Sequence, residues 1–168
     1  MTAEPPTAGP LDAFRAVWDH VLTLPPAARA MFALGCAERQ VRAADRHAEL
    51  LSALEAGWTV ARGGSVDLAA VRAELDARDD LDDDDVAATY FALGSAVGDP
   101  QDCRAAASRA MDAAFARAED DEDATGFRPL ADDATGAPVT AELAWQQAAA
   151  ARLATDGPTE AVMAWLRR

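Results

Sequence analysis

The chain has 168 residues, 51% apolar and only 6% aromatic, with a formal net charge of −14. That length suits one ordinary domain able to bury a core without disulfide or metal staples. The acidity argues against nucleic acid as a direct ligand, because such binding draws its affinity from cationic contacts to phosphates.

Residues 1–9 carry Pro, Thr, Gly and Ala without periodicity, and are expected to form a short disordered arm ahead of a single helical domain over 10–168. No basic region followed by an apolar run marks a secretory signal. No apolar stretch approaches the ~20 residues needed to span a bilayer, so the chain is expected to be cytoplasmic, without membrane contact.

Pro10 suits the first turn of a helix, and Leu11, Phe14, Val17, Trp18, Val21 and Leu22 follow at spacings of three and four until the break at Leu24-Pro25-Pro26. A second helix is predicted from that proline pair to about Arg46, with Ala27, Ala30, Leu34, Ala37 and Val41 as its apolar stripe and Met31 on the shoulder. Glu38 falls on the edge of that stripe, where Arg39 and Arg42 can flank it, Arg42 being its i+4 partner. Leu50, Leu51, Leu54 and Trp58 continue or follow a kink near Asp45 to His47, and Gly63-Gly64 stops them. Ser65 or Asp67 then caps a short helix with Leu68, Val71 and Leu75.

The run DARDDLDDDD, Asp76 to Asp85, separates the halves and leads into a helix from Asp84 to about Val97, with Val86, Tyr90, Leu93 and Val97 on one face. Gly98-Asp99-Pro100 opens a sixth helix to about Glu119, lined by Cys103, Ala106, Ala107, Ala110, Met111, Ala114 and Phe115. An acidic loop is expected over about 120–138. Thr140 is read as the cap of the next helix, with Leu143, Trp145 and Leu153, and Thr159 as the cap of the last, with Val162, Trp165 and Leu166. Nothing alternates with period two, so the expected fold is an all-α bundle of seven to eight helices without a sheet.

No catalytic constellation emerges from this pattern. His20 and His47 sit on different predicted helices without ligand spacing, and the Asp run lacks the glycine and closing Glu of a calcium loop, so no metal or cofactor is expected. Cys36 and Cys103 lie inside helical patterns and read as inert thiols, with one disulfide between them left open. No GxSxG elbow or phosphate loop is present. The chain has no Lys, Ile or Asn, which is what a GC-rich genome imposes, so basicity carried by Arg alone is weak ground for a phosphate site.

MFALGCAERQ, then LLSALEAGWTVARGG and VDLAAVRAEL, resembles the helical immunity proteins found beside bacterial polymorphic toxins, which carry a similar Cys-Ala-Glu-Arg run and a Trp-containing helix after it. Residues 25–168 also resemble the YjaG-like helical family of unknown function. The shared order is Glu38-Arg39, the acidic DDLDDDD segment, Glu142 before Trp145-Gln146, and a final Leu166-Arg167; where that family carries aromatics after the Glu-Arg pair, this chain has Gln40, Val41 and Arg42. Neither resemblance implies catalytic residues.

The expected function is therefore a non-enzymatic binding protein of the immunity type, neutralising a basic protein toxin or other partner through an acidic surface. The partner-facing residues would be Asp79, Asp80, Asp82, Asp83, Asp84 and Asp85, with Asp120, Asp121, Glu122 and Asp123; Glu38, Arg39, Trp58, Glu142 and Trp145 would hold the scaffold. The alternative is a small-molecule or peptide-binding accessory protein with a pocket between helices near Trp18, Trp58 and Trp145. Trp165, Leu166 and the alanine-lined sixth helix could equally serve a homodimer seam.

Overall fold

The computed structural model describes residues 9–120 and 136–168. The expected N-terminal arm, apart from Gly9, and most of the acidic loop, with Asp121, Glu122 and Asp123, lie outside the described residues. Eight helices and no strand are present among the described residues: α1 (Pro10–Leu22), α2 (Pro26–Ala44), α3 (Leu50–Ala61), α4 (Leu68–Asp76), α5 (Asp84–Ala96), α6 (Pro100–Asp120), α7 (Ala137–Asp156) and α8 (Glu160–Leu166). None is long and apolar enough to cross a membrane.

The prolines and caps set most boundaries. Pro10 and Pro26 occupy first turns of helices, where a missing N–H costs nothing. Asp67, not Ser65, caps α4 by accepting from the Ala70 N–H at 3.1 Å, and Thr159 Oγ1 caps α8 by accepting from the Val162 N–H at 3.3 Å. α2 stops at Ala44, two residues earlier than expected, because Asp45 turns left-handed at φ 50°. The chain therefore breaks fully before α3. α7 begins at Ala137, with Gly136 at its N-cap and Pro138 in its first turn, so Thr140 lies within the helix and does not cap it.

α2 is the axis of the bundle and contacts α1, α3, α5, α6, α7 and α8. Being central, it is buried on almost every side from Ala28 to Val41, including Phe32, Leu34, Cys36 and Glu38, while Ala27 of the expected stripe stays half-buried. A one-faced projection suits a helix that covers a core, not one that forms it. α5 is similar: Val86, Ala88, Thr89, Ala92 and Leu93 are buried, while Tyr90 is half-buried and Val97 exposed.

Small residues let these helices approach. α6 lays Cys103, Ala106, Ala107, Ala110 and Ala114 against α5 and α2, so the stripe weighed as a dimer seam is spent on the core. Gly57 of α3 faces Leu34 of α2 and Leu93 of α5 so closely that a Cβ there would overlap both leucines. α7 and α8 close one side, where the Trp145 and Trp165 rings stack with centroids 6.2 Å apart.

Candidate functional site

Two buried carboxylates sit beside the middle of α2, one on α2 and one on α7. Glu38, 2% exposed, accepts from Arg42 Nε at 3.2 Å on Oε1, and from Trp58 Nε1 at 2.7 Å and Arg167 Nε at 3.2 Å on Oε2. Glu142, 1% exposed, accepts from Gln146 Nε2 at 3.0 Å on Oε1, and from Arg39 Nε and Gln40 Nε2, each at 3.4 Å, on Oε2. Each charge is thus met by arginine and by neutral donors, the condition under which a carboxylate survives away from water.

The second network runs on through the core. Gln146 Nε2 also donates to the Ala107 carbonyl at 3.2 Å, its Oε1 accepts from Trp18 Nε1 at 2.9 Å, and Arg117 Nη1 donates to Gln40 Oε1 at 2.9 Å. Arg39 lies over the Trp145 ring at 4.7 Å. All five residues expected to hold the scaffold, Glu38, Arg39, Trp58, Glu142 and Trp145, therefore belong to one region. The partner of Arg39 is Glu142, however, and Glu38 belongs to Arg42, Trp58 and Arg167. Gln40 bridges Glu142 to Arg117.

The acidic run divides by position. Asp85 is buried, with its carboxylate on the Val86 N–H at 3.1 Å and on Arg46 at 3.3 Å, so it anchors α5 and offers no partner surface, contrary to expectation. Asp80 is clasped by Arg78 at 2.7 Å, Asp83 meets Arg46 at 3.3 Å, and Asp84 meets Arg109 at 3.3 Å. Only Asp79 and Asp82 of the six are exposed. Asp120 closes α6.

His47 stands within this cluster, its Nε2 3.6 Å from both Asp80 Oδ2 and Asp83 Oδ2. The three donor atoms lie within 4.8 Å of one another, which a divalent ion would accept. Arg78 and Arg46 already bind those two carboxylate oxygens, so the positive charge there comes from the chain itself. Hydrogen bonds from Arg78 hold Asp80 below the usual carboxylate range; Glu49 is lowered by its own backbone N–H first and Arg78 after it.

Neither thiol is a nucleophile in waiting. Both cysteines are free and buried; burial pushes Cys103 up to about 12 and Cys36 well above its ordinary value. The tryptophans expected around a ligand pocket are spent otherwise: Trp58 and Trp18 are buried, and Trp145 stacks between Phe32 and Trp165. No family model, curated protein or solved structure matches the chain.

Proposed function

We propose that the chain is a non-enzymatic binding protein of the immunity type, which neutralises a basic protein partner by occupying it through an acidic face. The observation that carries this reading is the sorting of charge around the connection from α4 to α5. Asp80, Asp83, Asp84 and Asp85, the last buried and the others half-buried, are matched by arginines. Glu74, Asp76, Asp79 and Asp82 are exposed and meet no arginine among the described residues. A basic partner approaching that face finds uncompensated negative charge on an ordered frame, which favours fast, steered association.

The absence of catalysis is part of the proposal. Glu38 and Glu142 are buried and accept donors on both oxygens, so their charges are committed to partners in the core.

The experiment pairs the chain with the product of its neighbouring reading frame. Co-expression should relieve that product's toxicity, and association measured by stopped flow should slow as salt rises and slow again in an Asp79→Ser, Asp82→Ser variant. Unrelieved toxicity defeats the immunity reading. A rate indifferent to both salt and the substitutions removes the acidic face from the mechanism.

A further inference from the structure

Fifteen arginines face twenty-nine acids along this chain, so an average stretch of its surface is negative. One hollow reverses that sign. Between the second half of α2, the last turns of α6 and the residues after α8 lies a groove of about 160 Å³, lined by Arg39, Arg42, Arg117, Arg167 and Arg168. Among the described residues Glu38 is the one carboxylate on its wall. Five positive charges less one leaves +4 on its wall; counting Glu142, held by Arg39, and Glu55, held by Arg167, leaves +2.

The buried carboxylates hold these guanidinium groups in place without using up all of their donors. Arg39 spends Nε and Nη2 on Glu142, Arg42 spends the same two atoms on Glu38, and Arg167 spends Nε on Glu38 and Nη2 on Glu55. Each guanidinium has five N–H bonds in a rigid plane, so Nη1 of all three is left without an acceptor among the described residues. Arg168 is exposed and has no side-chain acceptor among them either. Side chains held by salt bridges at one edge lose little freedom on binding at the other, which is preorganisation.

We infer that this groove is a binding site for a compact tetrahedral oxyanion of the phosphate class. The groove is small, about 160 Å³, and open to solvent on one side, which suits a compact ligand such as phosphate. Its donors arrive from three directions, α2, α6 and the segment after α8, whereas a planar carboxylate is best met by a single two-pronged arginine. This convergence, and not the arginine identity of the bases, distinguishes the groove from the rest of the surface. It is independent of the acidic face proposed above, which lies at the connection from α4 to α5.

The test titrates the full chain, labelled at its arginine side chains, with inorganic phosphate at constant ionic strength, followed by NMR of the guanidinium N–H signals. Saturable shifts at Arg39, Arg42 and Arg167 are expected. Arg168→Gln touches no partner within the fold and should weaken phosphate binding about tenfold, the worth of one charge-assisted hydrogen bond. The pair Arg117→Gln, Arg168→Gln should weaken it further, with an unchanged helical spectrum showing that the fold persists. No saturable shift, or phosphate bound equally well by the wild type and the double variant, overturns the site. Succinate bound as tightly as phosphate overturns the tetrahedral assignment.

Discussion

Glu38 shows how far one residue's surroundings can be read from its neighbours in sequence. Its bond to Arg42 follows from helical spacing alone, since residues four apart share a face. Its bonds to Trp58 and Arg167 join positions 20 and 129 residues away, and nothing in periodicity points to them. The Trp58 bond makes the sharpest prediction. Trp58→Phe removes the Nε1–H donor from a buried carboxylate and leaves space where the indole was, and should cost about 2–4 kcal/mol in urea unfolding. Part of that loss belongs to the pair and not to the ring. In a Glu38→Gln background the same substitution should cost about 1–2 kcal/mol less, which a double-mutant cycle reads directly. Equal losses in both backgrounds would make Trp58 a packing residue only. At Glu142 the bond from Gln146 follows from the same four-residue spacing, while Arg39 and Gln40 lie more than a hundred residues away.

Among the elements, boundaries written in proline, glycine and capping side chains were legible, as at Pro26, Asp67 and Thr159. The break at Asp45 was legible only as one of two alternatives, a kink or a continuous helix, because aspartate enters the left-handed region only occasionally. That break has a structural consequence: it delivers His47 to Asp80 and Asp83, while Arg46 and Arg78 close the same cluster. The connection from α2 to α3 is thereby tied to the one from α4 to α5. Asp80 and Glu49 have folded pKa values below their unfolded ones, so their contribution is complete above the ordinary carboxylate range, near ~4, and is lost as pH falls through the lowered values. Arg78→Gln removes the guanidinium common to both. The variant should be less stable than the wild type at neutral pH, and the two urea midpoints should converge on acidification. A gap that stays constant down to acid pH would show that Arg78 acts through packing and not through charge. Because Glu49 is exposed and Arg78 and Asp80 are only half-buried, salt should narrow the gap as well.

At the scale of the whole molecule, two electrostatic effects of opposite sign compete, and their ranges decide the outcome. The ion pairs that organise the fold act at contact distance, and several have one partner almost fully buried, such as Glu38, Asp85 and Glu142. The repulsion that comes from a net charge of −14 acts over the width of the molecule. At ~0.1 M salt the screening length is about 10 Å, so dissolved ions suppress the long-range repulsion while leaving close, half-buried pairs largely intact. Raising salt from ~0.01 M to ~0.1 M at neutral pH should therefore raise the thermal midpoint, a result that scanning calorimetry can check. A falling midpoint would mean that exposed pairs such as Arg15 with Asp12 and Arg62 with Glu55 outweigh the repulsion. The expected rise also bears on binding: a fold that is relieved when its negative charge is screened is relieved in the same way when a basic partner covers Asp79 and Asp82. For such a partner, binding and stabilisation should be largest at low salt and should decline together as salt is added.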